Sequence, residues 1–309
     1  MTLTNHDTDL ITQVAALAAN EGIEIGFAAR LVESGQQISL NERQLYPSAS
    51  VFKVPVMLEV LRRIDRGELR ADQRLPLTTA AKTLTTGVLL TLDDGLDLTL
   101  QDLMTLMIII SDNTATTMLL DLVGKDAVNQ ALHTLGCHDT TVTMNVHEMF
   151  LHAWHLPLDR PVGLDELINT ARSTQMDYNS LTFARKRENT VTTAADMAHL
   201  MAMIAAGQAF GPQVSEQAHL IMRQTQTTGR VPRFLPYRSV GNKTGTFRGL
   251  RNDCGIITRA DHDHIAYALF TFDPTPLPID NIRLSETRNA AVANVMSEIG
   301  VLLYEEFRT

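Results

Sequence analysis

Residues 46–60, YPSASVFKVPVMLEV, mark the point where the chain stops reading as strand and begins to read as helix. An abrupt Pro-Ser-Ala-Ser segment gives way to an apolar run, and Lys53 sits inside that run where the pattern calls for a hydrophobic side chain. Upstream, DTDLITQVAALAAN (7–20) spaces apolar residues at helical intervals behind an Asp/Thr start, and IEIGFAARLVESGQQISLNERQLY (23–46) reads as two strands about a turn at ESGQQ. Downstream, the helical segments VFKVPVMLEVLRRIDRGE (51–68), LTLQDLMTLMIIISDNTATTMLLDLVG (98–124), KDAVNQALHTLG (125–136) and TTAADMAHLMAMIAAGQ (192–208) dominate.

After a further helix, QVSEQAHLIMRQT (213–225), strands return in RSVGNKTGTF (238–247), NDCGIITRA (252–260) and HIAYALFTFD (264–273), with a turn at DHD (261–263). The helical SETRNAAVANVMSEIGVLLYEEF (285–307) closes the pattern. Strands at both ends with helices between them predict an α/β (α+β) chain. Its antiparallel sheet is built from N- and C-terminal strands, flanked by helices, with an inserted all-helical lobe. The boundaries expected from the text are 1–49 and 212–309 for the α/β lobe and 50–211 for the helical one.

The 309 residues are 44% hydrophobic and 20% charged, ordinary for a folded chain with a sizeable core. A net charge of -9 and a pI near 5.5 repel phosphate backbones and anionic lipid, so nucleic acid and membrane surfaces are not expected partners. No stretch approaches the roughly twenty apolar residues of a membrane span. The opening MTLTNHDTDL also lacks the basic head and apolar core of a signal peptide, so the sequence as written reads as cytoplasmic. Cys137 and Cys254 fit no metal spacing or disulfide framework and read as buried thiols.

If 50–60 is helical, Ser50 lies in the first turn and Lys53 one turn later on the same face. The serine then meets the positive end of the helix dipole, which favours negative charge developing on its oxygen. A serine hydroxyl is a poor nucleophile until a base takes its proton, and a lysine serves as that base only when burial or a neighbouring cation lowers its pKa. Taken alone, the pair also reads as an N-cap serine and a snorkelling lysine. Two other fragments bear on the choice. IIISDNTAT places Ser111, Asp112 and Asn113 straight after a buried apolar run, where polar groups must find partners. GNKTGTF places Lys243, Thr244, Gly245 and Thr246 in a strand whose glycine lets a ligand approach the backbone. Singly, these read as a helix cap and an edge strand with a solvated lysine.

In this order the trio Ser-x-x-Lys, Ser-Asp-Asn and Lys-Thr-Gly resembles the signature of class A β-lactamases and penicillin-binding proteins. The similarity extends through TTGVLLTLDDGLDLTLQDLMTLMIIISDNTATTMLLDLVG and VTTAADMAHLM, spanning roughly residues 25 to 305. The resemblance implies a β-lactamase/transpeptidase-like fold and a serine hydrolase that works through an acyl-serine intermediate without metal or other cofactor, as a monomer. Its substrate would be a small β-lactam or D-Ala-D-Ala-like molecule. Ser50 would be the nucleophile and Lys53 its base. Ser111 would pass a proton to the leaving nitrogen, Asn113 would hold the substrate amide and Lys53, and Lys243 would tune Ser111 and attract the substrate carboxylate. Thr244, Gly245, Thr246 and an arginine, Arg251 ahead of Arg248, would complete substrate binding, and the amides of Ser50 and Thr246 would form the oxyanion hole. The family is commonly exported, which bears on compartment.

One part of the pattern is missing. Efficient class A enzymes carry a Glu-x-x-x-Asn that holds the deacylating water, and none occurs between 140 and 195. Counting back from Met197 lands on Asp177, with Leu181 where the Asn belongs. Acylation of Ser50 with slow deacylation is therefore expected. The alternatives are a DD-peptidase or esterase on the same scaffold, or a penicillin-recognising sensor that acylates once. HEMFLH resembles a zinc motif, but His147 and His152 lie about 140° apart around a helix and do not share an ion as an i, i+4 pair does. Glu148, His152 and His155 share a face instead, read as a packed helix with polar edges, and His262 and His264 read as a solvated hairpin turn.

Overall fold

A computed structural model describes residues 4–259, 263–275 and 281–307. The chain divides into unit 1, residues 1–44 with 193–309, and unit 2, residues 45–192.

Unit 1 opens with α1 (Asn5–Asn20), which Thr4 starts by accepting from the Asp7 amide at 3.1 Å while the Asp7 carboxylate accepts from the Thr4 amide at 2.9 Å. β1 (Glu24–Leu31) and β2 (Gln37–Leu40) follow as an antiparallel pair in which Ala28 faces Ser39 and Arg30 faces Gln37.

Unit 2 is contiguous in sequence. β3 (Tyr46–Pro47) runs into a single 3-10 turn at Ala49–Phe52 and then α2 (Lys53–Asp65). After β4 (Arg74–Pro76) and its partner β5 (Asp97–Thr99) come α3 (Leu100–Ile109), α4 (Asn113–Val123), α5 (Lys125–Thr134), α6 (Val146–Ala153) and α7 (Leu164–Ser173). β6 (Val191–Thr192) returns to pair with β3. Every α2 residue from Lys53 to Leu61 is buried, including Glu59. Burial alone would raise the Glu59 pKa, but hydrogen bonds from Arg62 and Arg63 outweigh it and hold the carboxyl below its ordinary value.

The rest of unit 1 comprises α8 (Ala194–Ala205), α9 (Pro212–Met222), β7 (Val240–Phe247), β8 (Leu250–Thr258), β9 (His264–Phe272) and α10 (Ile282–Glu305). Its five-stranded antiparallel sheet runs β2-β1-β9-β8-β7, with β1 and β9 paired from Glu24 opposite Phe272 to Leu31 opposite Ile265. On one face, Leu10 and Val14 of α1 and Met296 and Ile299 of α10 pack with Phe27, Tyr267 and Leu269. Burying each such side chain stabilises the fold by about 1.5–3 kcal/mol.

The mixed helix and antiparallel-sheet architecture is the expected one. The unit boundary falls at 44/45 and 192/193, where 49/50 and 211/212 were expected, because α8 packs on β1, β8 and β9 and so joins the sheet unit despite its helical sequence. The expected turn at Asp261 and His262 lies outside the described residues. Among the described residues no helix is long and apolar enough to cross a membrane.

Candidate active site

In unit 2 the chain reaches Ser50 through a constrained corner. The Ser48 amide donates to the Thr190 carbonyl at 3.0 Å, and Ala49 has φ +44°, a left-handed conformation that costs a non-glycine residue free energy. The 3-10 turn then places Ser50 and Lys53 three residues apart, a spacing at which side chains eclipse. Ser50 is half-buried, whereas Lys53 is completely buried at the start of α2.

The Lys53 Nζ makes three short contacts: the Ser111 carbonyl at 2.7 Å, the Asn113 Oδ1 at 2.8 Å and the Ser111 Oγ at 3.1 Å. The first two oxygens only accept, so the nitrogen donates to both in either protonation state. The third partner is a hydroxyl, which accepts from an ammonium or donates to a neutral amine. A proton can thus move between Lys53 and Ser111 with these three contacts retained.

The Ser-Asp-Asn segment supports this geometry. Ser111 has φ +61°, and its carbonyl also accepts from Thr86 Oγ1 at 2.7 Å. Asp112 caps α4 through the Ala115 amide at 3.0 Å, and its other carboxylate oxygen accepts from the Val88 and Leu89 amides at 2.7 and 3.0 Å. Both amide hydrogens of Asn113 are engaged, with the Leu84 carbonyl at 2.8 Å and Thr85 Oγ1 at 2.7 Å, which fixes Oδ1 toward Lys53. Gly87 completes the loop: its φ is +110°, and a Cβ there would lie 2.1 Å from Asp112 Oδ2.

In unit 1 the Lys-Thr-Gly segment lies in β7. Lys243 is fully buried, donates to the Thr244 carbonyl at 2.8 Å, and has a pKa lowered to about 7, chiefly by burial, with the Arg230 charge adding to the effect. Arg230 donates to the Gly245 carbonyl at 2.8 Å and to the Thr246 hydroxyl. Burial lowers its pKa to about 10, so it stays cationic at neutral pH. Opposite Thr244 on β8, the buried Asp253 accepts from Asn242 Nδ2 at 2.8 Å and Tyr267 OH at 3.0 Å, and burial pushes its carboxyl up to about 6.

The structure thus brings Lys53, Ser111 and Asn113 into one hydrogen-bonded cluster in unit 2, and strings Lys243, Thr244, Gly245 and Thr246 along one strand in unit 1. Arg251 goes elsewhere: its guanidinium donates to the Phe247 and Leu250 carbonyls at 2.6 and 2.9 Å and ties off the β7–β8 hairpin. The arginine on Thr246 is Arg230, which the sequence reading missed. Its setting, TTGRVP, reads as a turn with a solvated charge.

Asp177 is exposed. It accepts from the Asn179 amide at 2.8 Å and contacts His155 Nε2 at 2.8 Å, and those contacts hold its carboxyl below the ordinary range. Glu148 pairs with Lys125 at 2.7 Å and caps α6 through the Asn145 amide. Cys137 and Cys254 are both free and buried.

A family model described as the beta-lactamase enzyme family matches residues 9–307. A beta-lactamase regulatory protein, BlaB, of Streptomyces cacaoi is 24% identical over 291 residues, 88% of this chain and 91% of that protein. A beta-lactamase of Streptomyces lavendulae is 24% identical over 287 residues, 90% of this chain and 84% of the relative. The crystal structure of a beta-lactamase from Sphaerobacter thermophilus superposes with a TM-score of 0.71 at 28% identity, covering 96% of each chain.

Proposed function

The chain belongs to the beta-lactamase enzyme family, and from that premise we propose that it is a serine hydrolase that opens β-lactam rings through an acyl-Ser50 intermediate released slowly. The observation that carries this reading is the three-way contact of buried Lys53 with Ser111 and Asn113, one turn from Ser50.

Neutral Lys53 takes the Ser50 proton as Oγ forms an ester bond to the lactam carbonyl carbon. The carbon–nitrogen bond breaks, the nitrogen takes the Ser111 proton, and Ser111 recovers one from Lys53 across their 3.1 Å contact. Lys243, Thr244 and Thr246 bind the substrate carboxylate, Arg230 taking the role first expected of Arg251, since a guanidinium fork suits a carboxylate and Arg230 already holds Thr246.

Slow release is supported by the state of Asp177, whose two carboxylate oxygens are each engaged, one by the Asn179 amide and one by His155. Mass spectrometry of the protein mixed with penicillin tests the reading. A stoichiometric adduct on Ser50 persisting over many minutes is expected. Absence of the adduct removes the acylation step, and rapid multiple turnover removes the slow release.

A second reading, a non-turnover recognition protein, gains support from the relative described as regulatory. Steady-state nitrocefin hydrolysis beside single-turnover labelling separates the two, and activity on p-nitrophenyl acetate or a D-Ala-D-Ala peptide identifies an esterase or DD-peptidase.

A further inference from the structure

Arg230 reaches Thr246 from a stretch of chain that no regular element holds. Its backbone, at φ -123° and ψ -123°, is neither helical nor strand-like and stands just ahead of a 3-10 turn at Val231–Phe234. The side chain is long, so a small twist of that main chain displaces the charge at its far end.

The restraint comes from α10. The buried Ser297 hydroxyl donates to the Arg230 carbonyl at 2.9 Å. It also lies 2.9 Å from the Ala293 carbonyl one turn back, but that oxygen already belongs to the amide ladder of the helix, so the hydrogen serves Arg230 better. The Arg230 carbonyl takes its other hydrogen bond from the Arg233 amide at 2.9 Å, which fills both lone pairs and fixes the peptide plane. Gly300, three residues after Ser297 and on the same face of α10, lets the helix approach the next peptide: a Cβ there would lie 2.5 Å from the Val231 carbonyl oxygen. Val231 itself belongs to the core with Met296 and Ile299. At the other end, the guanidinium donates to the Gly245 carbonyl at 2.8 Å, to the Asn252 carbonyl and to the Thr246 hydroxyl, spanning β7 and β8. Arg230 is thus pinned twice, its main chain by α10 and its charge by the sheet.

We propose that Ser297 is a positioning residue for carboxylate recognition: its hydroxyl holds the Arg230 main chain in the orientation from which the guanidinium reaches Thr246. Being fully buried, Ser297 acts only through Arg230. This rests on the reading of Arg230 as the arginine that takes the carboxylate of a substrate acylating Ser50.

The test compares the rates at which benzylpenicillin and its methyl ester, which lacks the carboxylate charge, label Ser50. The parent is expected to favour the acid. Ser297→Ala keeps a good helix former and removes one hydroxyl, so it should lower the acid-to-ester ratio about fivefold, the worth of one hydrogen bond, with the ester rate unchanged. Ser297→Thr restores the hydroxyl and should recover the parent ratio. In an Arg230→Gln background, Ser297→Ala should change the ratio by no more than about twofold, because the group it positions is gone. Thermal unfolding of each variant reports the fold separately, and if Ser297→Thr is too crowded to fold, the Arg230→Gln background decides. A parent-like ratio in Ser297→Ala, an equal loss for acid and ester, or an undiminished effect in the Arg230→Gln background overturns the proposal and leaves the acyl-serine reading intact. Absence of labelling in the parent overturns that reading, and the role of Ser297 falls with it.

Discussion

The side-chain oxygen of Asn113 lies 2.8 Å from the Nζ of Lys53, and both Asn113 amide hydrogens are already committed, so this carboxamide faces the lysine in one orientation. Replacing Asn113 with alanine leaves a buried lysine short of an acceptor and frees the Leu84 carbonyl. A penalty of about 1–3 kcal/mol is expected, together with a fall of about ten- to a hundredfold in the rate of penicillin labelling at Ser50. Stopped-flow acylation and thermal unfolding measure both. An unchanged labelling rate would remove Asn113 from the relay.

Thr246 distinguishes two arginines. Arg230→Gln should raise KM for an anionic substrate at least tenfold, because the guanidinium on the Thr246 hydroxyl is lost. Arg251→Gln should instead lower the melting temperature with little change in KM, since among the described residues that side chain donates to the carbonyls of its own hairpin region. The reverse pattern would return the carboxylate to Arg251.

Lys243 gives a pH signature. With a pKa near 7 it is charged below that pH and neutral above it, so affinity for a carboxylate substrate should weaken as pH rises through about 7. Lys243→Arg keeps its charge and should flatten the profile. Parallel KM profiles in the two proteins would contradict this assignment.

Loop closure at Gly87 has no slack. Gly87→Ala forces a Cβ to 2.1 Å from the Asp112 carboxylate in a backbone at φ +110°. A loss of about 3 kcal/mol or more is expected from overpacking and strain combined, read as a lowered urea midpoint. Stability within 0.5 kcal/mol of the parent, roughly the range of a neutral surface substitution, would show that the loop can move.

Acid should weaken unit 1. His219 is held neutral, its pKa lowered from 6.5 to about 4 first by burial and then by the His264 and Arg223 charges. The unfolded chain takes up that proton at its ordinary pKa, so stability is lost as pH falls from about 6.5 toward about 4, by about 3 kcal/mol in total. His219→Gln should reduce the slope of melting temperature against pH across this window; an unchanged slope assigns the acid sensitivity to other groups.

Much of this was legible in the sequence because it depends on short-range pattern. Strand-like stretches bounded by turn residues announced β1 and β7 to β9, helical segments announced α2 to α5, and the three motifs drew attention to Lys53, Ser111, Asn113 and Lys243. What was hidden depends on partners distant in sequence. Arg230 meets Thr246 sixteen residues on, across a turn that no periodicity predicts. Arg251 sits opposite Thr246 in the strand register, and only the direction of its side chain sends it to other acceptors. Asp177 has a motif-like position, yet His155, twenty-two residues earlier, occupies it. The assignment of α8 to unit 1 was likewise invisible, since its sequence specifies a helix and only packing specifies which neighbours it joins.

The pairing of β1 with β9 also dictates a timetable for biogenesis. A ribosome releases the whole of 45–192 before His264–Phe272 leaves the exit tunnel, so the contiguous helical unit can consolidate while β1 waits for its mate. Until then the β9-facing edge of that early strand presents unpaired peptide groups, and a nascent chain of this topology is open there to intermolecular pairing.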